Sequence, residues 1–268
     1  MDFLGFIIIL VKVLVVFAAT LFTVLIMIYA ERRVSAFMQG RLGPNRVGPQ
    51  GLLQPIADGI KFLMKEDIIP AGVDKPIFIL APAILLIPAL MTFAVIPFGS
   101  DIILFGRQIP LQVADVNVGI LYILALTSIG VYGIILAGWS SNNKYSLLGG
   151  LRSSAQLISY ELAMGLAVVS IILLSGSLKL NDIVADQQGY FFSWNIFKQP
   201  LAFIIFLVAV YAETNRLPFD LSEAEQELVG GYHTEYSSMK FAMFFMAEYA
   251  NMVTAAALTV TLFFGGWD

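Results

Sequence analysis

Long apolar blocks restrict how this chain can fold more than any other feature of its sequence. A helix needs about 20 predominantly apolar residues to cross the hydrocarbon layer of a bilayer. About six blocks approach or exceed that length: 4–30, 76–98, 116–139, 155–176, 199–215 and 239–265. Because backbone amides in lipid must be satisfied within their own segment, each block is predicted to be a helix. The predicted fold class is an all-α, polytopic transmembrane helix bundle, with residues 1–268 forming one domain.

The composition excludes a water-soluble globule. Hydrophobic residues make up 59% of the chain and charged residues 13%, whereas soluble domains have about 45–50% and about 25%. The sequence contains no cysteine, so this chain cannot supply thiolate ligands to an iron–sulfur cluster. His233 is the single histidine, and no zinc-binding spacing is present. We therefore predict no bound metal and no redox centre.

The positions of lysine and arginine predict the orientation in the membrane. Most of these residues fall in the first, third and fifth connections between the apolar blocks, including Arg32, Arg41, Lys144, Arg152 and Arg216. Short cytoplasmic loops carry an excess of positive charge. These three connections are therefore expected on the cytoplasmic side, and the N-terminus on the opposite side.

Within the first connection, residues 40–67 combine a Gly/Pro-rich loop with an amphipathic segment. Residues 40–51 cannot form a regular helix or a central strand. Within 51–67, apolar and polar residues separate onto opposite faces at about 100° per residue, which predicts a helix lying in the cytoplasmic interface. Asp58 falls on the polar face together with Lys61. On spacing alone, a solvated helix with an Asp58–Lys61 ion pair is the favoured interpretation.

Two acidic residues lie well inside predicted spans. Glu248 is about ten residues into the last apolar block, and Glu161 follows a polar start of the fourth. A charged residue at the bilayer centre costs at least about 2.5–3.5 kcal/mol. Each glutamate is either a protonated acid that is hydrogen-bonded within the bundle or a proton-relay group. We favour the relay, because acids within a membrane mark ion pathways.

The fifth connection, 213–238, is rich in acidic residues. Its acidic residues are Glu213, Asp220, Glu223, Glu225, Glu227 and Glu235. The only basic residues in or next to this connection are Arg216 and Lys240. A solvated acidic loop, a packed loop with mutually dependent titrations and a hard-cation site are the alternatives. Interleaved apolar residues favour the packed loop, and the cation site has no supporting ligand spacing.

Several long, non-repetitive motifs resemble one family from the first span to the last. They are ERRVSAFMQ (31–39), RLGPNRVGPQGLLQPIADGIKFLMKED (41–67), AETNRLPFDLSEAEQELVGGYHTEY (212–236) and FFMAEYANM (244–252). They are similar to the H subunit of the proton-pumping NADH:quinone oxidoreductase, respiratory complex I, an electron-transport translocase. The counterpart subunits of membrane-bound hydrogenases belong to the same family. Members of the family have eight spans, so two further spans are expected beyond Asp268.

The resemblance implies a role at the junction between a peripheral redox arm and a membrane arm. The family's subunit forms most of a quinone access tunnel and takes part in coupling quinone reduction to proton translocation. NADH, FMN and the iron–sulfur clusters are held by partner subunits. The implied partners are the peripheral-arm iron–sulfur and quinone-site subunits, the neighbouring small and antiporter-like membrane subunits, and lipid. Nucleic acid is not an implied partner.

The resemblance also assigns candidate residues to two sites. The quinone-tunnel candidates are Arg32, Arg41, Asp58, Arg216 and Phe245. The proton-path candidates are Glu31, Glu161, Glu213, Asp220, Glu223, Glu225, Glu227, Glu235 and Glu248. Two alternatives remain: the counterpart subunit of a hydrogenase or ferredoxin-linked complex, and an independent ion transporter. The transporter would not require the Gly/Pro loop or the packed acidic loop.

Overall fold

The computed structural model describes residues 3–104, 107–220 and 225–267, and it confirms an all-α membrane bundle. Five helices are long and apolar enough to span a membrane within these residues. They are α1 (Phe3–Met38), α3 (Lys75–Met91), α4 (Gly119–Ser140), α5 (Lys144–Ser175) and α10 (Ser238–Phe263). The shorter helices are α2 (Gln54–Met64), α6 (Leu180–Ala185), α7 (Asn195–Lys198), α8 (Pro200–Glu213) and α9 (Glu225–Leu228). Four 3₁₀ turns cover Pro49–Gly51, Thr92–Val95, Phe191–Ser193 and Gly231–His233.

Helix bounds differ from the apolar blocks at three places. α1 continues through the charged residues 31–33 to Met38, because no glycine or proline interrupts it before Gly40, which has a φ of 64°. α5 begins at Lys144, where the Asn143 side chain accepts a hydrogen bond from the Tyr145 N–H at 2.9 Å. Because the first turn is polar, hydropathy did not indicate this N-terminal cap. The block at 199–215 forms only the 14-residue helix α8.

A small antiparallel hairpin was not predicted. Strands β1 (Ile102–Leu104) and β2 (Arg107–Ile109) pair with Ile103 opposite Gln108. The connection 99–115 was interpreted as an ordinary polar loop. Strands of three residues are too short to show a clear period of two, so hydrophobic alternation could not reveal them.

Five of the helices form the body of the bundle. α3 packs on α4, α4 on α5, α5 on α8, and α10 packs against α3. α1 lies at the outside, mainly against α10 and α2. Consequently α1 is the most exposed span, with only 11% of its most apolar window buried inside the chain.

The bundle contains two apolar cores, one above the other. One includes Ile123, Met164 and Leu258, and the other includes Val131, Leu157 and Phe244. Between these cores the same helices carry polar residues, Thr127 on α4, Glu161 on α5 and Asn251 on α10, with Glu248 one turn before Asn251. The sequence therefore interrupts the apolar interior at one level, and this polar level is where the candidate site lies.

The two ends of the bundle carry different connections. The proximal end is defined here by residues 39–74, 141–143 and 214–237, and the distal end by 96–118 and 176–199. At the proximal end, α2 is joined to the start of α10 by the Ser238 hydroxyl, which donates to the carbonyls of Phe62 and Lys65 at 2.9 Å. The Lys240–Asp67 ion pair, at 2.6 Å, supports the same contact.

Candidate functional site

An ion pair between α1 and the fifth connection forms the proximal part of the site. The Arg216 Nη1 atom lies 3.0 Å from the Glu31 Oε1 atom. The Tyr249 hydroxyl on α10 donates to the other carboxylate oxygen of Glu31 at 2.6 Å. The Arg216 guanidinium also lies over the Tyr249 ring, 4.8 Å from its centroid. Three segments distant in sequence are therefore held together by one carboxylate and one arginine.

This ion pair lines an open cavity of about 620 Å³. Its wall combines apolar side chains with the candidate residues, and consists of Met27, Ala30, Glu31, Tyr211, Asn215, Arg216, Leu217, Asp220, Phe245, Glu248, Tyr249 and Met252. Mostly apolar walls with a few polar groups are typical of sites for organic ligands. We call this space the proximal cavity.

Glu248 joins the proximal cavity to a second, smaller one. Its Oε1 atom accepts a hydrogen bond from the Tyr232 hydroxyl at 2.9 Å. Glu248 and Asn215 line both the proximal cavity and a narrow space of about 30 Å³ deeper in the bundle. A space of this size has room for about two water molecules. A proton could therefore pass from one cavity to the other through a single carboxylate.

The deeper space, called here the acidic cavity, brings three glutamates together from three helices. Glu161 of α5, Glu213 at the end of α8 and Glu248 of α10 line it together with Thr127 and Asn251. The Ser128 hydroxyl donates to Glu161. Carboxylates separated by water-sized space and bordered by amide and hydroxyl groups can exchange protons along hydrogen bonds.

Gln156 fixes the chain where it leaves α8. Its Nε2 atom donates to the Ala212 carbonyl at 2.9 Å and to the Phe219 carbonyl at 2.8 Å. The Ala212 carbonyl also accepts from the Asn215 N–H at 3.4 Å, at the last turn of α8. The amide therefore holds the end of α8 and the following turn in place, and Glu213 lies within this segment.

A glycine contact positions Tyr232 beside Glu248. A Cβ atom at Gly149 of α5 would lie 2.6 Å from the Gly231 Cα atom and 2.8 Å from the Tyr232 nitrogen. Gly231 has a φ of 62°, a conformation that favours glycine. The close approach of these backbones places the buried Tyr232 ring against Phe244, with centroids 5.3 Å apart.

A separate ion-pair group connects α1 with the interfacial helix α2. Arg32 donates to the Asp58 carboxylate, Gln54 donates to it at 3.2 Å, and Lys61 lies 3.7 Å away. Burial alone would raise the pKa of Asp58, but the hydrogen bonds from Arg32 and Gln54 and the charges of Arg32 and Lys61 lower it below its ordinary value. Asp58 is therefore ionised at neutral pH. The expected pair with Lys61 is present, but the main partner of Asp58 is Arg32.

A third space lies between the end of α1 and the Gly/Pro loop. It measures about 400 Å³ and is lined by Arg33, Val34, Phe37, Arg41, Leu42, Gly43 and Asn45. Arg33 donates to the carbonyls of Pro44 at 3.1 Å and Gln50 at 3.0 Å, which fixes the loop. The Arg41 Nε atom donates to the Gln39 side-chain oxygen at 2.6 Å. Arg41 lines this third space and does not line the proximal cavity.

Glu227 and Glu235 of the fifth connection do not line the acidic cavity. Glu227 forms a surface ion pair with Arg152 at 2.8 Å. Glu235 accepts a hydrogen bond from Asn143 at 2.5 Å and lines a shallow surface cleft. Glu225 begins α9, and Glu223 lies outside the described residues. The structure thus brings Glu31, Glu161, Glu213, Asp220 and Glu248 together with Arg216 and Phe245.

Sequence reasoning missed three residues that shape the site. Tyr249 donates a hydrogen bond to Glu31, and Tyr232 donates one to Glu248. Arg33 fixes the Gly/Pro loop. Tyr249 follows Glu248 directly, so the motif around that glutamate could have indicated it. The position of Tyr232, 16 residues before Glu248, depends on the fold and had no signal in the sequence.

The fold and the site together define a class: a multi-pass membrane protein with a chain of carboxylates leading from an open cavity into the bundle. Comparison with known proteins identifies the family. A family model described as NADH dehydrogenase matches residues 11–268, and the chain belongs to this family.

Three relatives agree on the group within the family. The chain is 63% identical over 267 residues to NADH-quinone oxidoreductase H subunit 2 of Geobacter metallireducens, covering 96% of this chain and 77% of the relative. It is 63% identical to H subunit 1 of Geobacter sulfurreducens, covering 96% and 76%. It is 56% identical to H subunit 2 of Koribacter versatilis, covering 97% and 77%. The chain therefore falls within the H-subunit group, whose members are named as components of an enzyme complex.

Proposed function

We propose that this chain forms the quinone access region of an NADH-quinone oxidoreductase and couples quinone reduction to proton translocation. The observation that carries the proposal is that Glu248 lines both the proximal cavity and the acidic cavity. One side chain is thus placed between a space of suitable size for an organic ligand and a group of acids within the bundle. The names of the relatives support the NADH-linked complex over a hydrogenase or an independent transporter.

The proposed quinone region lies at the proximal end. Arg32 and Asp58 join α1 to α2 beside the Gly/Pro loop, while Arg216 and Phe245 line the proximal cavity. Polar groups in an otherwise apolar space orient a quinone head group and give specificity. Arg41 lines a neighbouring space, so we assign it to the outer part of the access region.

The proposed proton path runs from Glu31 through Glu248 to Glu213 and Glu161. A negative charge that forms on the quinone would change the protonation of the nearest carboxylate, and adjacent acids would follow because like charges raise one another's affinity for protons. Glu227 and Glu235 lie on the surface and are proposed to have no part in this transfer. Asp220 lines the proximal cavity. We propose that it links this cavity to the rest of the fifth connection.

The complex would hold its redox cofactors in other subunits. Quinone is its substrate, and NADH, FMN and iron–sulfur clusters would be bound by the peripheral arm. The small and antiporter-like membrane subunits would receive the proton signal. We further propose a bacterial inner membrane or its organelle equivalent as the location, with the proximal end on the cytoplasmic side and the N-terminus on the other.

Replacing Asp58 with Asn is expected to raise the quinone KM about fivefold. This is near the lower limit for loss of a charge-assisted hydrogen bond, because Arg32 is half exposed and partly solvated. Since the pKa of Asp58 is lowered from 3.8, its ion pair is complete above that value and is lost only as the pH falls below it. The KM ratio of variant to parent should therefore stay constant from about pH 6 to about pH 8.

Steady-state quinone reduction by the assembled complex in membranes measures this effect. Lys61→Gln is the matched control, because it removes the more distant and more exposed partner of the same carboxylate. Its KM should stay within about twofold of the parent value. Equal effects of the two substitutions would contradict the role of the Arg32–Asp58 pair.

Replacing Glu161 with Gln tests the proton path separately from quinone access. The amide keeps the shape of the side chain and can still accept from Ser128, but it cannot release a proton. We expect an unchanged quinone KM and a loss of proton translocation by about tenfold. Quinone reduction and proton uptake would be measured together in proteoliposomes. Glu235→Gln is the control and should pump normally; normal pumping by Glu161→Gln would exclude its relay role.

A further inference from the structure

α8 is too short to cross the bilayer by itself. Its 14 residues extend about 21 Å at 1.5 Å per residue, whereas the hydrocarbon layer is about 30 Å thick. The helix nevertheless exposes a lipid-facing row, with Leu201 68%, Ile204 56% and Val208 43% exposed. About 9 Å of apolar contact with lipid must therefore be supplied by a neighbouring segment.

The missing length cannot be supplied at the Glu213 end of α8. Thr214 and Asn215 follow immediately and are buried. Asn215 lines the acidic cavity, and the chain then turns to Arg216 beside Glu31. These groups are polar and point into the protein. The additional apolar surface must lie at the Pro200 end, on the distal side of the bundle.

The segment before Pro200 exposes four large aromatic side chains. Tyr190 is 82%, Phe191 57%, Phe192 76% and Phe197 44% exposed. The ring centroids of Phe191 and Phe197 are 4.9 Å apart, and those of Phe192 and Phe197 are 5.4 Å apart. Phe191, Phe192 and Phe197 form one connected surface, and Tyr190 directly precedes it in sequence; these four residues are called here the aromatic platform.

Two buried amides hold the aromatic platform rigidly on the bundle. Gln187 is fully buried, donates to the Thr261 carbonyl at 3.0 Å, and accepts from the Asn195 and Gly265 N–H groups at 3.1 and 3.2 Å. The Asn195 side chain donates to the Leu262 carbonyl at 2.9 Å. These bonds join both sides of the segment to the end of α10. The exposed rings are thus presented by an ordered segment with satisfied buried polar groups.

We propose that the aromatic platform is a membrane-binding surface that contacts phospholipid at the boundary between acyl chains and head groups on the distal side. Leu201, Ile204 and Val208 follow one another at helical spacing along α8. The platform lies directly before the first turn of α8, from which the non-helical Gln199 (φ −135°, ψ 59°) separates it, and it adds exposed apolar surface at that end. Trp and Tyr are enriched at this depth of the bilayer; the platform contains Tyr190, and Phe191 packs against Trp194 with ring centroids 4.7 Å apart. Lys198 is exposed beside the platform, and its ammonium can reach a lipid phosphate.

The first test measures access of water to the platform in the assembled complex in native membranes. Phe192→Cys introduces a single thiol into a chain that has none. Gln188→Cys is the matched control, because Gln188 is exposed four residues earlier and outside the aromatic contacts. A membrane-impermeant maleimide should label position 192 about tenfold more slowly than position 188, since the reaction requires an accessible thiolate. Equal rates would overturn the proposal.

The second test identifies what covers the platform. A photoreactive benzophenone side chain in place of Phe192 would be activated in the same membranes, and the products of this chain analysed by mass spectrometry. The same group in place of Leu201, on the lipid-facing row, is the positive control. A phospholipid adduct at both positions is expected. A cross-link from position 192 to another subunit, or no adduct there while position 201 reacts, would overturn the proposal.

Discussion

Replacing Glu248 with Gln is expected to abolish proton translocation in the assembled complex, to below about a tenth of the parent rate. Glu248 is the carboxylate that lines both the proximal cavity and the acidic cavity. The amide can still accept a hydrogen bond from Tyr232, so the local packing is preserved. It cannot exchange a proton, which interrupts transfer between the two cavities.

The measurement is proton uptake per quinone reduced in proteoliposomes. Glu227→Gln is the matched control, because Glu227 forms an exposed ion pair with Arg152 and exposed pairs contribute little. It should pump at the parent rate. A second variant, Tyr232→Phe, removes only the hydrogen bond to Glu248 and should retain partial pumping. Full pumping by Glu248→Gln would rule out the proposed path.

Replacing Gly149 with Ala is expected to displace the turn that carries Tyr232. The new Cβ atom would lie 2.6 Å from the Gly231 Cα atom and 2.8 Å from the Tyr232 nitrogen. Both are backbone atoms, so neither can rotate away as a side chain could. Overpacking of this kind costs about 1–3 kcal/mol. Movement of the turn would also weaken the Tyr232–Glu248 hydrogen bond at 2.9 Å. We expect a lower unfolding temperature and reduced proton translocation.

Gly165→Ala on the same helix provides the control for Gly149→Ala. A Cβ atom at Gly165 meets no atom within 4 Å, so only the helix preference of alanine should act, about 0.5–1 kcal/mol in favour of folding. Thermal unfolding of the purified complex, followed by loss of this subunit, compares the two variants. Equal stability of the two would contradict the close backbone contact. If Gly149→Ala does not assemble, Gly149→Ser with its similar Cβ clash should fail as well.

The two largest effects concern the same polar level between the apolar cores. Glu248→Gln changes the chemistry of a carboxylate while its surroundings stay in place. Gly149→Ala leaves every acid intact and changes the position of one partner. We expect Glu248→Gln to lose proton transfer while the complex assembles normally, and Gly149→Ala to lose it together with stability. This difference would separate the role of the Glu248 carboxylate from that of the turn that holds Tyr232.

The apolar blocks predicted the bundle because a membrane helix is determined mainly by local hydrophobicity. Each span must satisfy its own backbone, so no distant partner is needed to specify it. The start of α5 at Lys144 was missed because it depends on the polar cap at Asn143. The short length of α8 was missed because the non-helical Gln199 precedes the helix and the buried Thr214 and Asn215 follow it. Hydropathy contains neither signal.

The candidate residues show the same division. Glu248 and Glu161 were indicated by their positions inside apolar helices, since an uncompensated charge there is costly. Asp58 was first interpreted as part of an ordinary surface pair with Lys61. Its contact with Arg32, 26 residues earlier, follows from the packing of α2 against α1, which no spacing within α2 could reveal.

By itself, the sequence determined the helical membrane class, the absence of cysteine ligands and the positions of Glu161 and Glu248 within apolar helices. The tertiary structure decided which acids meet. It places Glu213 beside Glu161 and Glu248, leaves Glu227 and Glu235 at the surface, and brings Tyr232 and Tyr249 to their glutamates. The physical reason is that burial in lipid acts on each helix separately, whereas hydrogen bonds and cavities depend on side chains from several helices at one level of the bundle.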